Sequence, residues 1–198
     1  MILAKNTRPA LISQAAPVAI RAERASDVAA REALLDSCFG ENRHARTCQR
    51  LRDGRAPAEG LALSAVVRGR LVGTLRLWHV SAGGIPALLL GPLAVDSAYR
   101  KLGIGEALVT RAVAAASAGG HKAVFLLGDA SYYKRFGFSA AKTSNLLLPG
   151  PFERERLLAL EFTEGALDGA WGMIVPMGAA ARQSTRVRKG GRLAAQVA

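Results

Sequence analysis

No apolar run in this chain of 198 residues approaches the roughly 18 to 20 residues that a membrane-spanning helix needs. The basic N-terminal stretch is interrupted by Pro9, Ser13, Gln14 and Pro17, so it lacks the unbroken apolar core of a secretory signal. Before Glu23 it is also free of acids, a composition that an organelle transit peptide shares. Cysteine is nearly missing: Cys38 and Cys48 lie ten residues apart, neither a disulfide framework nor a C-x-x-C pair. With His44 they match no zinc spacing and lack a fourth ligand, so no metal is expected. The thiols read as reduced and structural, in a cytoplasmic protein. Acids are scarce as well, 15 Asp and Glu against 27 Lys and Arg, which leaves a net charge of +12. Such an excess suits a polyanionic partner, either a nucleic acid or a multiply phosphorylated cofactor. Aromatic residues make up only 6% of the chain, and no Lys/Arg block is interleaved with them as a nucleic-acid platform requires. The basic stretches Arg43–Arg55 and Arg182–Arg192 therefore read first as solvated surface and tail.

Half of the residues are hydrophobic and 21% are charged, which is the balance of one globular domain with a substantial core. We expect a flexible extension over 1–16, a single domain over 17–178, and a basic tail without periodicity over 179–198. Val18–Ala22 alternates as a strand. Ser26 or Asp27 can cap a helix over Val28–Ser37, and a polar second helix is expected at about Arg43–Arg52. LALSAVV and RLVGTLRLWHV, joined by Arg68-Gly69-Arg70, form a hairpin signal. ALLLGPLAV is a strand whose Gly91-Pro92 must bulge or splay, because proline cannot donate to a ladder. A helix follows over Gly103–Ala118, with Ile104, Leu108, Ala112 and Ala115 on one face and Arg111 snorkelling from its edge. KAVFLLG is a buried strand, Asp129 caps a short helix ended by Gly137, and strands are expected at Leu157–Phe162 and Met173–Val175.

The stretch VDSAYRKLGIGEALVTRAV joins an apolar strand to this helix. A dinucleotide loop needs G-x-G-x-x-G, but the third position here is Leu108. A P-loop needs G-K-[ST], which is absent. What remains is R-x-x-G-x-G. Gly103 and Gly105 allow close backbone approach, and the helix start offers free N–H groups and a positive dipole end. Arg100 and Lys101 add charge beside them. The segment can seat a pyrophosphate or serve as an ordinary helix entry.

RKLGIG preceded by LGPLAVD resembles the [QR]-x-x-G-x-[GA] motif of the GCN5-related N-acetyltransferase (GNAT) superfamily. YKRFGF at 133 to 138 resembles the Y-x-x-x-G-F of the same superfamily, one helix and one strand further on. LGPLAVD with GDASYYKRFGF resembles a bacterial subgroup with a shortened fourth helix. The resemblance covers about residues 17 to 178. It implies an α/β fold with a mixed, mostly antiparallel central sheet, a splayed strand pair and flanking helices.

It also implies acetyl-CoA as co-substrate and an amine acceptor. Leu93, Ala94 and Val95 would pair with pantetheine through their backbone. Arg100, Lys101, Leu102, Gly103, Ile104, Gly105 and Glu106 would hold the pyrophosphate, mainly through N–H groups. Tyr133 would protonate the departing thiolate, or simply close the cofactor groove by packing. Tyr132 and Phe136 read as core. Where many members carry an asparagine seven residues before that tyrosine, this chain has Leu126. For a general base His79 and Glu41 are the candidates, and a water-mediated route needs neither. Arg43, Arg46, Arg50, Arg52 and Arg55 fall in the implied acceptor region, which disfavours polycationic amines. A non-catalytic acyl-CoA-binding or nucleic-acid-associated module on the same fold is the alternative, and a homodimer is compatible with either.

Overall fold

The computed structural model describes residues 17–181, and the expected extension 1–16 and the tail from 182 lie outside them. Eight strands and three helices alternate along this stretch. Strand β1 (Ala19–Ala22) pairs antiparallel with β2 (Ala62–Val67), and β2 pairs antiparallel with β3 (Arg70–Ala82) through the expected hairpin. At its tip Arg68 and Gly69 both take positive φ. Strand β4 (Ile85–Val95) runs antiparallel to β3, whereas β5 (Ala123–Leu127) joins β4 in parallel. Strand β7 (Leu157–Glu161) closes that side antiparallel to β5. Strand β8 (Gly172–Pro176) pairs with the far end of β3 and, in parallel, with β6 (Leu146–Leu147). This is the mixed, mostly antiparallel sheet that was expected; the two-residue β6 had no sequence signal.

Helix α1 (Val28–Phe39) and α2 (Ile104–Ala118) cover opposite faces. On α2 the buried stripe is Ile104, Leu108, Val109, Ala112 and Ala116. Ala115, expected in that stripe, is only partly buried, and Arg111 is exposed, so no snorkelling is needed. Odd-numbered residues of β3 such as Leu75 and Leu77 join the core beneath α2, while Trp78 and Val80 join a second core with Leu89 and Phe125. Leu34 and Leu35 of α1 pack on Ala94.

Residues 41–51 differ from expectation. Instead of one helix there are two 3-10 turns, Glu41–Ala45 and Thr47–Leu51, divided at Arg46, whose ψ of 144° is extended. The apolar pattern here is too sparse to support a long helix, and Thr47 is anchored by donating its hydroxyl proton to the Pro151 carbonyl. Beyond Gly178, where the tail was expected to begin, Ala179 to Ala181 still run beside Gly54–Ala56, linked by Ala56 N–H to Ala179 and Ala181 N–H to Gly54.

Asp27 stands at the N-cap position of α1, as expected, but its carboxylate accepts no hydrogen bond from that helix. It ends a 3-10 turn (Ala25–Asp27) and accepts from both Nη atoms of Arg21 at 2.6 and 2.9 Å, from Arg24 N–H at 2.9 Å and from the Ser64 hydroxyl at 3.0 Å. Beside it, Glu23 pairs with Arg31 and Arg76 in a second buried cluster. The Arg21 bonds, with lesser help from Arg24 and Ser64 and against the cost of burial, hold the Asp27 carboxyl well below its usual range. Its folded value is depressed, so its stabilisation is complete above the unfolded pKa of about 3.9 and is lost as pH falls below that. We predict that Asp27→Asn costs about 2–3 kcal/mol at pH 7. The variant should also lose less stability between pH 7 and pH 3 than the parent. Urea midpoints at the two pH values check this.

Candidate active site

The parallel pair β4 and β5 share only two register positions, Leu88 with Val124 and Leu89 with Phe125. The ladder stops there because β4 bulges: Leu75 and Leu77 of β3 oppose Leu93 and Leu90, leaving Gly91 and Pro92 as an extra step. The Gly91-Pro92 peptide is cis and Gly91 has φ 128°, a conformation that favours glycine. Trp78 Nε1–H donates to the Gly91 carbonyl at 2.6 Å and ties the bulge to β3.

The extra residue also shifts the alternation of β4. Leu88 and Leu90 face α2 before the bulge, and Leu93 and Val95 do so after it. Asp96 N–H bonds to Val72 O, so alternation turns the polar groups of Ala94 toward β3 and those of Leu93 and Val95 into the gap beside β5. The Val95 carbonyl there accepts from the Cys38 thiol at 3.5 Å.

Directly after β4, the Asp96 carboxylate caps a turn over Ser97–Tyr99 by accepting from Ala98 N–H. Lys101 and Gly103 then take φ of 65° and 73°, the latter as the residue preceding α2. Left-handed residues alternating with ordinary ones turn successive N–H groups to one side, the geometry of an anion nest. Among the described residues, the backbone N–H groups of Lys101 to Glu106 have no hydrogen-bond partner. The side chains of Arg100, Lys101 and Leu102 are exposed, whereas Ile104 is buried and offers the gap only its backbone. Glu106 reaches Arg135 at 3.8 Å. Gly105 is confined: a methyl group there would stand 3.0 Å from the Tyr132 hydroxyl and 3.8 to 4.0 Å from Val95 and Leu93. Tyr132, expected in the core, thus stands at the edge of this loop, with Arg135 over its ring at 4.9 Å.

Leu93 also borders a cleft of about 640 Å³ between α1, the two 3-10 turns, the bulge and the end of β5. Tyr133 closes α3 (Ala130–Tyr133), a single turn capped by Asp129, and lines this cleft. Its ring meets Tyr132 edge-on at 4.9 Å and Phe138 at 5.8 Å. Its hydroxyl has no hydrogen-bond partner among the described residues. Burial, with a smaller contribution from Tyr132, pushes the phenol up to about 12, so it keeps its proton at physiological pH. Leu126 is buried in the core and cannot replace the polar contact of an asparagine.

Neither expected base lines the cleft. His79 lines a separate cavity with His121 and Lys122, and Glu41 is exposed on the first 3-10 turn. The carboxylate that lines the cleft is Glu153, facing Arg156 at 3.5 Å. Nothing in the local sequence marked this pair, which reaches the cleft only through the loop before β7. Of the five arginines expected around an acceptor, Arg43, Arg46 and Arg52 line the cleft. Arg50 and Arg55 instead donate to the carbonyls of Pro149 and Gly178. Among the described residues, no group of three metal-ligating side chains occurs and no helix is long and apolar enough to cross a membrane.

Gly128 sets the position of Tyr133, since a methyl group there would lie 2.4 Å from the ring. Gly128→Ala should therefore displace the ring, cost about 1–3 kcal/mol and lower Tm by several degrees. An unchanged melting curve would mean that the ring is not seated against β5.

The acetyltransferase (GNAT) domain family matches residues 59–140. The uncharacterized N-acetyltransferase YhbS of Escherichia coli K12 is 29% identical over 157 residues, covering 78% of this chain and 93% of its own length. The crystal structure of E. coli YhbS in complex with CoA superposes with a TM-score of 0.69 at 27% identity, covering 87% of this chain and 94% of that one. A Brucella melitensis GNAT family acetyltransferase in complex with acetyl-CoA gives a TM-score of 0.63 at 26% identity, with 81% and 96% covered. The motif-bearing loop, the parted strand pair and these relatives agree: the chain shares the fold of the GCN5-related N-acetyltransferase superfamily and is similar to its members in sequence.

Proposed function

We propose that the protein is an acetyl-CoA-dependent N-acetyltransferase that moves an acetyl group directly to a primary amine of a small molecule or protein. The observation that carries this reading is the row of six unpaired N–H groups from Lys101 to Glu106, continuous through Leu93 with the cleft that Tyr133 lines. A diphosphate fits this row: its negative oxygens complement free amides at a helix start, and Gly105 leaves room that a Cβ would fill. Arg100 and Lys101 supply flanking positive charge. Further along, the polar backbone groups of Leu93 and Val95 face the gap, where they can pair with the amide groups of a pantetheine arm.

The co-substrate supplies a thioester, whose carbonyl carbon the amine attacks and whose C–S bond breaks as the C–N bond forms. The Leu93 amide is the donor nearest the bulge and stabilises the developing oxyanion, a contribution that often dominates acyl transfer. Tyr133 gives its proton to the departing sulfur and is restored from solvent. An alkylammonium acceptor, with a pKa of about 10.4, must first lose a proton. With His79 and Glu41 away from the cleft, a water-mediated route is the reading we favour.

The test is thiol release from acetyl-CoA across a panel of amines and peptides. Release is expected with at least one primary amine, and Tyr133→Phe should lower kcat at least tenfold while leaving CoA affinity unchanged. CoA binding without release from any acceptor would make the protein an acyl-CoA-binding module. Gly103→Val places a β-branched residue at φ 73° and should weaken CoA binding at least tenfold. Unchanged affinity would remove the pyrophosphate role from this loop. Because the phenol lies near 12, no loss of kcat below about pH 10 should trace to Tyr133 ionisation.

A further inference from the structure

The cleft beside Tyr133 is lined by Arg43, Arg46, Arg52 and Arg156 against a single carboxylate, that of Glu153. These five differ in whether they are already partnered. Arg43 is held by Asp36 and Glu32, each at 2.6 Å, and Arg156 faces Glu153. Arg46 and Arg52 have no carboxylate within 4.0 Å among the described residues. All 15 Asp and Glu of the chain fall within residues 17–181, so no further acidic side chain exists to pair with them.

Arg52 is the more telling of the two. It is partly buried, and its Nε–H donates to the Cys48 carbonyl at 3.0 Å, which fixes one edge of the guanidinium. Its two Nη groups have no partner among the described residues. Burial lowers its pKa from the ordinary value, with Arg43 and Arg46 adding to that and Cys48 and Asp53 opposing it. The two Nη groups stay within reach of solvent in the cleft, so an oxyanion entering it can take both in a bidentate pair and supply the counter-charge that the partly buried guanidinium lacks. Arg46 lies with its guanidinium 4.9 Å from the Phe39 ring centre, so its charge stands at the same wall of the cleft. The like charges that an anion relieves would also repel a polyamine.

We infer that the acceptor amine carries a carboxylate, and that Arg52, assisted by Arg46, is the residue that selects it. This rests on the acceptor entering the cleft beside Tyr133, as the proposed acetyl transfer requires. Arg52 is a specificity-determining residue and takes no part in the chemistry itself. Glu153 is already held by Arg156, so it does not cancel the site.

Calorimetric titration of the CoA-saturated protein tests this. The probes are ω-aminocarboxylates of two to six carbons and the n-alkylamines of matching length. The best aminocarboxylate should bind at least tenfold more tightly than its matched alkylamine. Arg52→Met keeps the aliphatic stem and should bring that ratio to within twofold of unity, and Arg52→Lys should leave it between the two. Should Arg52→Met not fold, Arg52→Lys and Arg46→Gln read the same ratio, each expected to lower it severalfold. Alkylamines binding as tightly as aminocarboxylates, or a ratio unmoved by all of these substitutions, would overturn the inference. O-phosphoethanolamine tells the oxyanions apart, because tighter binding than every aminocarboxylate would reassign the site to phosphate. Thiol release measured on the same samples is a separate readout. Carboxylate preference without release contradicts the acetyl transfer and leaves the carboxylate site standing; release without preference does the reverse.

Discussion

Past Leu89 and Phe125 the two central parallel strands stop sharing hydrogen bonds, and the rest of the molecule is arranged around that parting. A sheet interior normally consumes its backbone donors and acceptors. Here one inserted step at Gly91-Pro92 ends the β4–β5 ladder and shifts the side-chain alternation of β4. It thereby turns the polar backbone of Leu93 and Val95 away from β3, toward the gap beside β5, where the Val95 carbonyl meets the Cys38 thiol. Trp78 holds the bulge from one side, and Leu34 and Leu35 of α1 pack behind Ala94. The interruption is therefore rigidly supported, as a surface of hydrogen-bonding groups must be if it is to recognise a ligand without reorganising.

The same economy appears in the charges. An excess of +12 would be a burden if the cations simply repelled one another. Several basic side chains instead serve the fold: Arg21 on Asp27, Arg31 and Arg76 on Glu23, Arg43 on Glu32 and Asp36. What is left over is distributed unevenly. Arg100 and Lys101 flank the free amides at the start of α2, and Arg46 and Arg52 line the cleft. Positive charge without a partner thus lies on either side of Leu93, at the loop and in the cleft beside Tyr133.

The loop before α2 and the break in β4 could be read from the chain because their signals are local. Gly103 and Gly105 stand where the backbone turns left-handed or is closely approached, and Pro92 announces a break in its strand by chemistry alone. The short helix before Gly137 follows from Asp129 as a cap and Gly137 as a left-handed stop. The cleft beside Tyr133 was harder to read, since it is assembled from segments far apart. The division of residues 41–51 into two turns depends on contacts such as Thr47 with Pro151, more than one hundred positions away. His79 looked serviceable by residue type, but strand alternation sends it to another cavity. Which arginines stay unpaired depends on where Glu32, Asp36 and Glu153 finish, and no spacing rule reports that.

Amide hydrogen exchange with and without CoA tests the central claim directly. If the parted strands and the following loop form the cofactor seat, CoA should slow exchange at Leu93, Val95 and the amides from Lys101 to Glu106, with β1, β6 and β8 unaffected. Protection that appears elsewhere, or CoA binding that leaves these amides exchanging at their free rate, would contradict the account.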